Sequence, residues 1–349
     1  MAAIQPDFRI RKSPPGWFRR VAAAGVLAAA VALGGFAQAA NNSVQGAKKD
    51  DGYDTDAPTA ILIEARTGSI LFEKNADELR APSSMMKLMT AEVVFDALTR
   101  GEIKPTDEFK ISEYAWRRGG APSGGSTMFA AIHSRVSVDN LLHGAVIQSG
   151  NDSCIALAEG LSTTEAAFVE RMTKRARELG LVKSTFANSN GLPDPGNRMT
   201  VRELGMLARH IILTYPEFYR LFGEREFTWN KIRQQNRNPL LAMGIGADGL
   251  KTGYTSEAGY GLVGSAVQND LRLIVVVNGL KSAKERGEEA RKLLEWGFRG
   301  FESRLLFAEG ETVGEAKLYG GDRGYVPLVS KKPVRLLVPR GRSEERRVG

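Results

Sequence analysis

Cysteine is almost absent from these 349 residues: Cys154 stands alone, so no internal disulfide can form and stability must come from a packed core. Histidine is nearly as scarce. His133, His143 and His210 fall in no H-x-x-H or H-E-x-x-H pattern and no C-x-x-C exists, which leaves no zinc site, implies no metal or other cofactor, and argues against a zinc-dependent peptidase. No G-x-S-x-G occurs, so a Ser-His-Asp hydrolase built on a nucleophile elbow is disfavoured. A strong basic excess is also missing. The formal charge of +8 has half its excess before residue 40, in Arg9, Arg11, Lys12, Arg19 and Arg20 against Asp7. The mild remainder suits an anionic surface such as cell wall or lipid headgroups and does not point to nucleic acid.

What is present begins with a leader. The basic stretch to Arg20 is followed by an uncharged Ala/Val/Leu/Gly run, Val21 to Leu33, and by Ala37-Gln38-Ala39. Residues 1–39 are therefore expected to be a secretory signal peptide cleaved before Ala40. An uncleaved anchor is the alternative, disfavoured because the run is weakly apolar. Residues 40–57, rich in Asn, Gly, Lys and Asp, read as a linker.

The folded part is expected over 58–301. Ala60–Ile63 and Ser69–Phe72 form a hairpin around Arg66-Thr67-Gly68. Ser83 or Ser84 caps a helix from Met85 to Leu98, with Gly101 as its C′ residue. Helical patterns follow over Val138–Gln148, Thr163–Leu179 and Thr200–Thr214. After Gly253 the pattern turns to strands, Gly261–Val267 and Leu271–Val277, and a closing helix, Ala283–Phe298. Strands at both ends with helices between predict an α+β fold: an antiparallel sheet flanked by helices, with an inserted helical subdomain. Residues 302–349 read as short strands, too few for an independent core, so the chain is expected to stop partway through an all-β second domain, with a polar end from Ser343 that is not necessarily native.

Three motifs carry the chemistry. Ser84-Met85-Met86-Lys87 is an S-x-x-K on an apolar helix, with serine and lysine on one face. A buried lysine is a base able to activate a serine hydroxyl, and the helix start offers backbone N–H groups to an oxyanion. By itself this pairing is common enough to arise by chance. Ser149-Gly150-Asn151 (S-x-N) and Lys251-Thr252-Gly253 (K-T-G) follow in the order and at the separations of the serine acyl transferases. Ser149 is suited to relay a proton between Lys87 and a leaving amine, and Asn151 to hold a substrate carbonyl and Lys87. Lys251 would attract a terminal carboxylate and depress the pKa of Lys87; Thr252 would donate to the carboxylate; Gly253 would let a substrate backbone approach the strand edge. Arg66-Thr67-Gly68, a near copy of K-T-G without partner motifs, reads as turn chemistry.

On these motifs, with Asn190-Gly191-Leu192 and Trp296-Gly297-Phe298, the chain resembles, over about residues 55–340, the low-molecular-mass penicillin-binding proteins of the D-alanyl-D-alanine carboxypeptidase type. The resemblance implies the fold shared with serine β-lactamases, Ser84 as acyl-ester nucleophile, Lys87 as proton acceptor, Ser149 as an active-site residue and Lys251 as substrate-binding. It implies an oxyanion hole from the N–H groups of Ser84 and Tyr254, where the family often has histidine, and places Arg286 near the substrate carboxylate, although a solvated arginine opening a charged helix fits that position equally. The implied substrates are peptidoglycan stem peptides ending in D-Ala-D-Ala, with β-lactams as covalent inhibitors. The implied location is the periplasm, with peripheral membrane contact through a C-terminal segment that this sequence does not contain. The alternatives are a D,D-endopeptidase, a β-lactamase, for which the E-x-x-L-N of class A is missing between Ser149 and Lys251, and a non-catalytic peptidoglycan-binding envelope protein.

Overall fold

The computed structural model describes residues 53–320 and 324–340. The leader at 1–39, most of the 40–57 segment and the end from Ser343 lie outside the described residues. Within that segment Thr55 and Ala57 are already buried, and Thr55 Oγ1 donates to Glu289 at 2.6 Å, so packing starts before Pro58.

Strand β1 (Thr59–Glu64) is buried at every position, and β2 (Ile70–Lys74) forms the exposed side of the expected hairpin. Its turn is held by the Glu64 carboxylate, which accepts from the N–H groups of Arg66 at 2.9 Å and Thr67 at 2.6 Å. The near copy of K-T-G is thus turn chemistry, as expected.

A tight 3₁₀ turn, Ser83–Met86, leads into α1 (Lys87–Thr99). Neither serine caps it, contrary to expectation: Pro82 precedes the turn, no side chain bonds to the orphan N–H groups, and Ser84 lies inside the turn. The C-terminus ends as expected, with Gly101 at φ 71° donating to Leu98 O at 3.1 Å and Glu102 to Ala97 O at 2.9 Å.

The helical subdomain follows. A short pair, β3 (Glu108–Lys110) with β4 (Arg135–Ser137), brackets α2 (Glu113–Gly119). Helix α3 (Val138–His143) loosens into a π turn over Gly144–Gln148 and is followed by α4 (Asn151–Ser162), α5 (Glu165–Glu178), α6 (Val201–Thr214) and a single turn, α7 (Pro216–Tyr219). A second small hairpin, β5 (Glu226–Trp229) and β6 (Ile232–Gln235), returns the chain to the sheet.

Strands β7 (Ala247–Thr255), β8 (Gly259–Gln268) and β9 (Leu271–Leu280) complete one antiparallel sheet in the order β2-β1-β9-β8-β7. The first and last segments of the domain therefore meet at β1 and β9. Alternation along β1 sorts the two faces. Ile61 and Ile63 join the helical core and lie near Gly205 of α6, whereas Leu62 and Leu273 lie against Gly297 of α8 (Ala283–Gly300). Strand β7 starts at Ala247, earlier than the expected change after Gly253, so K-T-G lies inside an edge strand and not ahead of one.

Beyond α8 come two separate two-stranded ladders, β10 (Phe301–Phe307) with β13 (Val334–Pro339) and β11 (Thr312–Lys317) with β12 (Tyr325–Val329). None of the described residues from Phe301 onward is buried.

Candidate active site

The 3₁₀ turn carries Ser84 and, one residue into α1, Lys87. Lys87 is 2% exposed, and its Nζ is 2.9 Å from Ser84 Oγ, 2.8 Å from Asn151 Oδ1 and 2.6 Å from Asn190 O. The S-x-x-K spacing thus brings amine and hydroxyl together. Burial is the main cause that pushes the Lys87 ammonium down to about 8; Arg237 assists, while Cys154 and Asp152 oppose it.

The S-x-N motif sits between the π turn and α4. Ser149 has φ 67°, a left-handed conformation costing about 1 kcal/mol or more for a non-glycine residue. Its buried Oγ has no hydrogen-bond partner among the described residues. The expected link from Ser149 to Lys87 is not made; the amine is committed to Ser84, Asn151 and Asn190. An orphaned buried hydroxyl in a strained turn leaves donor and acceptor capacity open in the site. Asp152, next in sequence, anchors the motif: its carboxylate accepts from Thr127 Oγ1 at 2.6 Å and from the N–H groups of Met128 at 3.0 Å and Ala130 at 3.2 Å.

The K-T-G motif approaches from β7. Lys251 is buried, and its Nζ donates only to Thr252 O, at 3.3 Å, among the described residues. Burial first, and then the charges of Lys87, Arg237 and Arg286, hold its pKa well below the ordinary lysine value. Burial is the largest cause for both lysines, and the Lys87 charge adds to the lowering at Lys251. Thr252 is buried beside it. A Cβ on Gly253 would sit 3.1 Å from Met85 N, Pro82 O and Ser83 Cβ. The glycine therefore lets the strand close on the turn that carries Ser84. Ser83 Oγ and Thr255 Oγ1, 3.2 Å apart, add a polar contact between the same two segments.

Tyr254 is 53% exposed and stacks on Tyr260 with ring centroids 4.2 Å apart. Its side chain faces outward, which leaves only its backbone for the oxyanion role that the resemblance implies. Arg286, near the start of α8, is buried, not solvated: it lies over the Tyr260 ring at 5.6 Å, and its Nη1 donates to Gly253 O at 3.4 Å. Burial pushes its guanidinium down to about 10.

Three contributors were missed from sequence. Asn190 acts through a backbone carbonyl, which no side-chain motif records. Gly191 has φ 81°, and a Cβ there would overlap the Ser83 carbonyl oxygen, so the 188–192 loop lies directly against the nucleophile turn. Arg237, on the segment before β7, reaches Ser126 Oγ at 2.7 Å and adds positive charge to both lysines. Only the Asn-Gly-Leu at 190–192 carried a signal, by resemblance. Among the described residues no group of three or more His, Cys, Asp or Glu side chains is placed to hold a metal, and Cys154 is buried.

A serine and a buried lysine on one helix start, an S-x-N turn, and a K-T-G edge strand against a helix-flanked antiparallel sheet define the serine acyl transferases of the penicillin-binding type. Residues 43–282 match the D-alanyl-D-alanine carboxypeptidase family, and residues 301–348 match the penicillin-binding protein 5 C-terminal domain. The chain belongs to the D-alanyl-D-alanine carboxypeptidase family. It is 42% identical over 288 residues to D-alanyl-D-alanine carboxypeptidase DacC of Escherichia coli, covering 82% of this chain and 72% of that protein. Penicillin binding protein 5 from Haemophilus influenzae superposes with a TM-score of 0.78 at 39% identity, covering 83% of this chain and 85% of that one. Penicillin-binding protein D2 from Listeria monocytogenes, in its ampicillin-bound form, superposes with a TM-score of 0.61 at 30% identity, covering 70% of this chain and 98% of that one. The expected fold class, enzyme class and family are therefore correct, and the chain is a serine-type D-Ala-D-Ala carboxypeptidase acting at the cell envelope.

Proposed function

We propose that this carboxypeptidase removes the terminal D-alanine of peptidoglycan stem peptides through an acyl-enzyme on Ser84, in the periplasm after loss of residues 1–39. The observation that carries this reading is the Lys87 amine, buried and 2.9 Å from Ser84 Oγ. Neutral Lys87 takes the hydroxyl proton as Ser84 attacks the D-Ala-D-Ala carbonyl, and the Ser84 and Tyr254 N–H groups receive the oxyanion. Ser149, its hydroxyl otherwise unpartnered, passes a proton to the departing D-alanine amine, and water then releases the shortened peptide.

Lys251, Thr252 and Arg286 gather the terminal carboxylate. Strand β7 is the free edge of the sheet, so an extended peptide can pair along it. A carboxylate arriving at Lys251 favours the charged form there and so draws the pair's proton away from Lys87, leaving the base free. A β-lactam enters as a mimic of the same dipeptide, consistent with the ampicillin-bound relative.

Peptide mass spectrometry after incubation with penicillin tests the nucleophile: the adduct is expected on Ser84, and an adduct on another serine, or none, removes the mechanism. Release of D-alanine from diacetyl-Lys-D-Ala-D-Ala tests turnover and separates an enzyme from a scaffold.

A further inference from the structure

Lys87 Nζ lies within hydrogen-bond distance of three oxygens, but a neutral amine has only two N–H groups and one lone pair. With Asn151 Oδ1 and Asn190 O taking the two N–H groups, the lone pair is left for the Ser84 hydroxyl. The orientation of the base therefore depends on two carbonyls. One is a side chain. The other belongs to the backbone of the loop Asn188–Leu192, and its position is only as fixed as that loop.

The loop is shaped from within by Asn188 Oδ1, which accepts from Gly191 N at 2.8 Å, and by Asn190 Oδ1, which accepts from Leu192 N at 2.9 Å. Asn197 Nδ2 donates to Leu192 O at 2.9 Å at the far end of the loop, and the residue that precedes Asn190, Ser189, is tied to two helices. Thr90 Oγ1 of α1 donates to Ser189 O at 2.5 Å. Glu165, the first residue of α5, takes both remaining donors with one oxygen: Oε1 accepts from Ser189 N at 2.9 Å and from Ser189 Oγ at 2.6 Å. Its other oxygen accepts from Tyr114 OH of α2 at 2.8 Å. One carboxylate thus links two helices to the residue that precedes Asn190. Ser189 and Asn190 are both buried.

We propose that Glu165 is a positioning residue for the catalytic base: acting through Ser189, it fixes the Asn190 carbonyl that takes one N–H of Lys87. This rests on Lys87 being the base. The glutamine variant separates charge from position, because it removes the Glu165 charge and keeps an oxygen that can accept from Ser189. Loss of the Glu165 bonds would loosen the loop and admit water to Lys87. Water replaces the lost carbonyl as an acceptor, so the net change is weaker desolvation. Because burial is the largest cause of the lowered lysine pKa, weaker desolvation moves the acid limb of the rate profile to higher pH.

The test uses the full chain with Glu165→Ala, Glu165→Gln, Ser189→Ala and Lys87→Met. For each, D-alanine release is measured across about pH 6 to 10, together with penicillin acylation rate and thermal midpoint. Glu165→Ala is expected to lose about tenfold or more in kcat with KM changed no more than about twofold, and to raise the acid limb. Glu165→Gln is expected to restore both, since its amide oxygen still accepts from Ser189. Ser189→Ala, which keeps its backbone bond, is expected to move the limb the same way by less. An unchanged kcat and limb in Glu165→Ala overturns the proposal. So does a Glu165→Gln variant as impaired as the alanine, because the charge and not the bond would then matter. If Glu165→Ala does not fold, Ser189→Ala decides, and an unchanged limb there overturns it. Lys87→Met separates the two levels: continued acylation removes the base itself, whereas an inactive Lys87→Met beside an unchanged Glu165 variant overturns the positioning alone.

Discussion

A lysine amine buried beside a serine can be a base only where its proton leaves easily, and the protein arranges this mainly by excluding water. With Lys87 pushed down to about 8, its free-base fraction grows as pH rises through that value. The kcat/KM of the free enzyme should therefore climb along an acid limb near the same pH. Lys87→Met should abolish penicillin acylation while leaving the thermal transition cooperative, because it replaces a buried amine by an apolar chain of similar length. An acylation rate near wild type in that variant would mean another group takes the proton. Lys251 invites a graded test. Lys251→His should bind substrate poorly at neutral pH, since a buried imidazole would be neutral there, and recover part of its affinity on acidification below an ordinary pKa of about 6.5. The opposing loss of free Lys87 limits that recovery. A Lys251→His variant equal to wild type in KM and pH profile would remove Lys251 from carboxylate binding.

At the scale of elements, the site is a meeting of three backbones: the Ser83–Met86 turn, the 188–192 loop and strand β7. Gly191 and Gly253 let the loop and the strand approach the turn closely. Gly191→Ala should consequently be among the most damaging single methyl additions in the catalytic domain. It combines a positive φ, costing about 1–2 kcal/mol for an L side chain, with overlap on the Ser83 carbonyl oxygen. Relieving that overlap displaces either the nucleophile turn or the Asn190 carbonyl. Chemical denaturation should show a loss of about 2 kcal/mol or more, with slower acylation in the protein that remains folded. A neutral Gly191→Ala would show that the loop can retreat without cost.

For the whole molecule, the catalytic domain closes on itself. Its sheet pairs β1 with β9 across more than two hundred residues of sequence, and α8 seals the second face. Among the described residues beyond Gly300 none is buried and none hydrogen-bonds to Ser84, Lys87 or Lys251. A chain ended after Gly300 should keep its kcat/KM for a small soluble peptide within about twofold, by the near-independence of distant sites. A large loss of turnover would reveal a contribution of that part to the fold of the catalytic domain.

The sequence by itself determined the three motifs, their order, the α+β class and the family. Each is local, because S-x-x-K needs only helix spacing, and the β-branched runs need only alternation or burial. It did not reveal the missing cap at Ser84, the early start of β7, or the face that Gly253 presents, since each is decided by a neighbour remote in sequence. Nor did it indicate that Lys87 turns to Asn190 rather than Ser149, or that Arg286 is buried against the K-T-G strand. Those are contacts between segments whose approach only tertiary packing fixes. A backbone carbonyl has no residue code, so the acceptor that orients the base became visible only once the chain was folded around it.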